Sequence, residues 1–426
     1  MRTRQTLAVL QTRLSLALAS VVSLALVGPA AAMAAPAPAV VTFKTVKIGA
    51  PGNPSVGIVP FKDAVYSSCA EAVPAEKQPP CQQVGAVGYR YGISQLEVTV
   101  PQYVAFLNTA DPAGRNRHEL YSSTESSAEW PKYGQIDFSA SAPAGRHYTV
   151  SSAQWADKPY AFANFLRSAR FVNSLYNGKV IFRRASSAGD FEYVTYRVRL
   201  SRQTGKGMYD MRKRATTRSH KLGFVIPSQD EWVKAAYYDP DGGGTYSYWQ
   251  YPTNPGKFGD EGANAPHEAT LDPETGDVTN ASAQPLAIFH TPEAKPAPSW
   301  CPAVFSAAAC ATENPFGIKP SSYEKAYQGS VGTVGQAKTT SPWGTLDQGG
   351  NVVEWTDTIT SPPSGRSGAH GRVWRRLHGG IANAPVYQLW LSAVGLQPQD
   401  NTFYTATYPW LGIRIGVLGD LEVSQR

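Results

Sequence analysis

The chain has 426 residues, of which 38 are Gly, 33 are Pro and 17% are charged. Gly and Pro together make about one residue in six, against roughly one in eight on average, which excludes a long coiled coil or a helical repeat array. The 42% apolar content excludes global disorder. The net charge is +7, three of the positives (Arg2, Arg4, Arg13) sit in the first 13 residues, and the remainder near +4 is too small to argue for a nucleic-acid partner.

Residues 1–34 read as an export signal. Three arginines without an acid precede the uncharged run Leu14–Val27, Gly28-Pro29 breaks it, and Ala32-Met33-Ala34 offers small residues for cleavage. A membrane span needs ~20 apolar residues, so this run is short for an anchor. The expectation is a periplasmic or secreted bacterial protein with no membrane attachment after cleavage. The four cysteines form two local couples, Cys69 with Cys81 and Cys301 with Cys310. In an oxidising compartment two local disulfides are the natural reading, although three connectivities are possible.

Residues 35–84 read as an N-terminal extension with short alternating stretches and many turn residues. Val87–Ile93 alternates like a half-buried strand. Thr99 is placed to cap a helix whose Val100, Tyr103, Val104 and Leu107 share one face. Asp111–His147 is polar and reads as loop. A second helix pattern follows Pro159 (Phe162, Phe165, Leu166, Ala169, Val172, Tyr176) and ends at Asn177-Gly178. Tyr193–Arg199 alternates as a strand. Nine Lys or Arg against the single acid Asp210 then crowd residues 197–221, which read as a solvated loop or as a patch for an anionic polymer. Ser228 and Glu231 have the spacing of a capping box and open a helix running to about Tyr238. Residues 239–342 lack periodicity and carry the second cysteine couple.

Four blocks in this order resemble the formylglycine-generating enzyme, or sulfatase-modifying factor, family. They are YRYGISQLEVTVPQYVAFLN (89–108), KPYAFANFLRSARFVNSLYNG (158–178), FVIPSQDEWVKAAYY (224–238) and WGTLDQGGNVVEWT (343–356), followed by RRLHGG (375–380) and LGIRI (411–415). The resemblance implies an α+β fold, the family's elaborated C-type-lectin-like architecture, over residues 85–418, with insertions near 197–221 and 255–340. It also implies a structural Ca²⁺ held by Asp347, Gly350, Val352 and Glu354, an all-oxygen set suited to a hard cation.

The family's oxidation of a protein cysteine relies on two cysteines that bind Cu(I), a soft ion held by thiolates. Counted from the Gly379-Gly380-Ile381 turn, those positions are Ala384 and Leu389 here, and no cysteine follows Cys310. No copper is therefore expected, and whether the chain is an enzyme stays open. Trp374, Arg375, His378, Asn383, Tyr387 and Trp390 surround these positions as candidates for lining a groove, with aromatics able to stack on a sugar or a peptide. The resulting expectation is a calcium-stabilised binding or structural module for an extracellular or periplasmic peptide or glycan. The alternative is an oxidoreductase acting on a protein or small thiol through a divergent site. No nucleic-acid partner is expected.

Overall fold

The computed structural model describes residues 37–58, 81–128, 134–242, 247–257, 265–290, 331–361, 371–400 (apart from 383, 385 and 392) and 410–421. The chain divides into Met1–Ala35 and Pro36–Arg426, and all described residues belong to the second unit. The export segment lies outside them, as do Cys69, Cys301 and Cys310. Cys81 is disulfide-bonded, while the pairing itself stays an expectation. No helix among the described residues is long and apolar enough to cross a membrane.

The fold is α+β and rich in loops. Its largest sheet has six strands in the order Lys179–Ala188, Phe191–Arg199, Val40–Ile48, Tyr91–Ser94, Gly416–Leu418 and Gly223–Val225, all antiparallel to their neighbours. A four-stranded sheet runs Gly395–Pro398, Trp374–His378, Val353–Thr360 and Leu411–Gly412, the last pair parallel. Val40–Ile48 shows why a strand forms there. Val41 and Phe43 point into the core while Thr42 and Lys44 stay exposed, the period-two alternation of a half-buried strand.

Among the described residues, three α-helices pack beside these sheets. Helix α1 is Val100–Ala110, entered through Thr99, whose backbone N–H donates to the Gln102 side chain at 2.9 Å. Helix α2 is Phe165–Tyr176, capped by Asn164, which accepts from the Arg167 N–H at 2.8 Å. Helix α3 is Gln229–Tyr237, closed by the reciprocal Ser228/Glu231 capping box. Phe171 of α2 packs against Tyr103 and Phe106 of α1, and Phe165, Ala169, Val172 and Leu107 belong to the same main core.

The differences from the sequence reading have local causes. The second helix starts at Phe165, because Phe162 is taken by a bridge to Leu411. The segment read as loop over 111–147 contributes the strand Ile136–Phe138, paired with Tyr148–Val150, and three residues are too few to show a period. Lys179–Ala188 was not read as a strand because its outer half is exposed on both faces and does not alternate in polarity.

Candidate functional site

The polar residues of the quoted motifs converge on one buried network. Arg414, flanked by Ile413 and Ile415, is fully buried. Its Nε lies 2.8 Å from each Glu354 carboxylate oxygen, and its Nη2 lies 2.7 Å from Oε1. The rest of the guanidinium donates to the carbonyls of Ser94, Gln95 and Leu346, each at 2.9 Å. Trp232 of α3 donates its indole N–H to Glu354 Oε2 at 2.6 Å. One ion pair thus ties together the first strand block, α3, the 343–356 block and the last block. From the same block, Trp355 donates to the Ala163 carbonyl at 2.9 Å and adds the segment that precedes α2.

The turn before Glu354 is a run of left-handed residues: Asp347 (φ 53°), Gly350 (φ 90°) and Asn351 (φ 56°). A Cβ at Gly350 would stand 2.1 Å from the Ile288 carbonyl oxygen, so only glycine fits. Asp347 Oδ2 accepts from the Gly335 N–H, whereas Oδ1 is buried without a hydrogen-bond partner. Glu97 is also buried. Its Oε1 accepts weakly from Asn351 at 3.3 Å, while Oε2 lies 4.0 Å from Arg414 Nη2 without a hydrogen bond. Burial, and then the neighbouring Asp347, push the Glu97 carboxyl well above its ordinary range, and burial raises Asp347 too.

This geometry bears on the calcium expectation. Both Glu354 oxygens are engaged by Arg414 and Trp232, so a cation seated there would have to displace an arginine that also holds three carbonyls. Of the side-chain oxygens expected to ligate, Asp347 Oδ1 is the one without a partner. Among the described residues, no group of three or more His, Cys, Asp or Glu is arranged to hold a metal. As arranged, Glu354 serves an internal guanidinium, and Asp347 Oδ1 is the carboxylate oxygen of the expected set left without a partner.

The described groove candidates Trp374, Arg375, His378 and Trp390 are all buried. Arg375 points into the core: its guanidinium carbon stacks 3.4 Å from the Phe165 ring centroid, and the fork reaches the Asp357 and Thr216 carbonyls and Gln399. It is a structural residue. Trp390 packs with Tyr251, Phe289 and Leu389 and donates to the Tyr251 hydroxyl at 2.7 Å. Trp374 is buried, Asn383 lies outside the described residues, and Tyr387 is described in its backbone alone. Ala384 and Leu389 are both fully buried.

Among the described candidates, His378 keeps the character of a site. It is 1% exposed and stacks on Trp232 with ring centroids 5.0 Å apart and planes 22° apart. Neither ring nitrogen has a hydrogen-bond partner among the described residues. Burial, helped by Arg376, lowers its pKa to about 3. The folded chain therefore holds the ring neutral, while the unfolded chain takes up a proton near its ordinary pKa of 6.5. The stability is fully present above that value and is lost as pH falls below it. Between pH 7 and 5 this loss is about 2 kcal/mol. His378→Phe, which keeps a ring against Trp232, is expected to remove it, and urea unfolding of both proteins at the two pH values checks this.

Glu97, Trp232 and Arg414 were not singled out from the sequence. The signal was present for two of them: Glu97 and Arg414 are single charges between apolar neighbours, and a charge in a buried run needs a partner.

No family model and no curated protein matches the chain. Solved structures similar to it at low identity include the following three. Treponema denticola variable protein 1 is 14% identical over 90% of this chain and 100% of its own, with a TM-score of 0.40. CarF is 13% identical over 90% of this chain and 99% of its own, with a TM-score of 0.37. PvdO from Pseudomonas aeruginosa is 13% identical over 89% of this chain and 94% of its own, with a TM-score of 0.38.

Proposed function

We propose that the chain is an exported, non-catalytic binding or structural module with the C-type-lectin-like architecture of the formylglycine-generating enzyme family, taking an extracellular or periplasmic peptide or glycan. The observation that carries the reading is the environment of residues 384 and 389. Both are fully buried, and Leu389 packs in an apolar cluster with Tyr251, Phe289 and Trp390. The backbone around them is committed as well: the Ala384 carbonyl accepts from the His290 N–H at 3.1 Å, and the Leu389 carbonyl accepts from the Tyr237 hydroxyl at 2.9 Å. A methyl and an isobutyl group in a packed interior supply no donor to a soft metal. The polar motif residues support the same reading, since Arg414, Glu354 and Trp232 bond to one another and to backbone.

A second reading, a thiol oxidoreductase with a divergent site, is favoured by one observation, the two unpartnered ring nitrogens of His378. The test is elemental analysis of the purified chain after exposure to Cu(I), with oxygen consumption measured on a cysteine-containing peptide. The expected result is no retained copper and no consumption above the peptide alone. Stoichiometric copper together with oxygen uptake abolished by His378→Phe establishes the second reading. Calcium in the same analysis, with a melting temperature that drops on chelation, would return the cation to the Asp347 turn.

A further inference from the structure

The three strands at one edge of the six-stranded sheet present a cationic outer face. Register aligns Lys179 with Arg199 and Val40, then Phe182 with Arg197 and Thr42, then Arg184 with Thr195 and Lys44. Five of these nine positions are Lys or Arg and none is acidic. Lys44, Arg184, Arg197 and Arg199 are exposed and Lys179 is partly so. None of the five forms an ion pair with a described residue, whereas nearby Lys47 and Arg183 are paired with Glu192 and Asp420. Lys44 lies 3.8 Å over the Tyr193 ring centroid and is still exposed.

The face is a lattice of charge. Strands lie ~4.8 Å apart, and alternate residues along one strand are ~6.7 Å apart. Unpaired like charges at these distances repel one another, and an extended polyanion relieves the repulsion with its own charges while the release of its condensed counterions favours binding entropically. Arginine forks also match carboxylate and sulfate oxygens bidentately. Charges on an edge strand do discourage edge-to-edge pairing. That role accounts for Lys179 and Arg184 on the edge strand. It does not account for Arg197, Arg199 and Lys44, which sit on the two strands inside it.

We propose that this three-strand face binds a linear anionic glycan, one that presents carboxylate or sulfate groups along an extended chain. Phe182, 39% exposed in the middle row, supplies an apolar surface on which a sugar ring can rest. A single aromatic is too little for a single-stranded nucleic acid, whose bases stack on several. The proposal is independent of whether the motif network is catalytic.

The test is titration of the full chain with size-defined dextran sulfate and with a polyuronate at 50 and 300 mM salt. Expected are saturable binding at low salt, a steep fall at high salt, and roughly tenfold weaker binding for Arg197→Gln/Arg199→Gln, the size of two exposed charge contacts. A second pair on the neighbouring strand, Lys179→Gln/Arg184→Gln, should weaken binding as well, and thermal unfolding shows that each pair folds. The same charge change at Lys213 and Lys338, outside the three rows, should have little effect. Absence of glycan binding at low salt, equal losses for all three pairs, or tighter binding of DNA or of phosphatidylglycerol vesicles than of either glycan overturns the proposal.

Discussion

Arg414→Met should cost about 3–5 kcal/mol at neutral pH, the usual loss when one partner of a buried ion pair is removed. Arg414 and Glu354 are both fully buried, so the substitution leaves Glu354 with the Trp232 N–H and no counter-charge. Three carbonyls, of Ser94, Gln95 and Leu346, lose their donors at the same time. Glu97 and Asp347, already raised by burial, lose the cation that favoured their ionised forms. The measurement is the urea midpoint, with circular dichroism to establish that the variant folds. A double variant, Arg414→Met/Glu354→Gln, keeps an acceptor for Trp232 and removes the orphaned charge, so it should recover a large part of the loss. A single-variant loss below about 1 kcal/mol, the scale of an exposed pair, would show that the network does not hold these segments together.

Arg218→Ala is the second large effect, again about 3–5 kcal/mol. Arg218 lies in the basic stretch read from sequence as a solvated loop or a polymer patch, yet it is an internal hub. Its two terminal nitrogens reach the Glu231 oxygens at 2.8 and 2.7 Å, and its Nε lies 2.5 Å from Asp357 Oδ2. Tyr89 also donates to Glu231 at 2.5 Å, and Tyr209 to Asp357 at 3.2 Å. Burial raises the Glu231 carboxyl, but the Arg218 fork more than offsets it and holds the group below its ordinary value. A depressed carboxylate contributes stability above its unfolded pKa and loses it as pH falls through the folded value. Without Arg218 only burial and weaker bonds act on Glu231, so its pKa rises and ionisation at pH 7 works against folding. The deficit of the variant should therefore be larger at pH 7 than at pH 4. Urea unfolding at both values checks it, and a deficit independent of pH would assign the loss to packing alone.

Legibility in the sequence followed how local the determining contacts are. The three helices could be read because their signals lie within a turn or two: the Ser228/Glu231 box, Thr99 before an apolar stripe, and Asn177-Gly178 closing α2. Their boundaries slipped where a distant partner intervened, as when Leu411 took Phe162 out of the start of α2. The motif blocks were visible as a set, but their common point was not. Glu97, Trp232, Glu354 and Arg414 are separated by long stretches of chain, and nothing in a local window says that they touch. The described groove residues diverge for another reason. Trp374 to His378 form a strand, so successive side chains point to opposite faces, and Arg375 is turned into the core while His378 meets Trp232.

The pairing of the last strand bears on how this molecule comes to exist. Gly416–Leu418 lies between Tyr91–Ser94 and Gly223–Val225, and Arg414 just before it reaches the Ser94 carbonyl across 320 residues of chain. The first two of these strands to be synthesised have no direct partner in each other. They wait, with unsatisfied backbone edges, until the third has been made. Closure of so non-local a sheet is slow, because chain entropy is surrendered before the contacts form. In a chain of this topology the gap between Tyr91–Ser94 and Gly223–Val225 stays open until Gly416–Leu418 has been made and inserted.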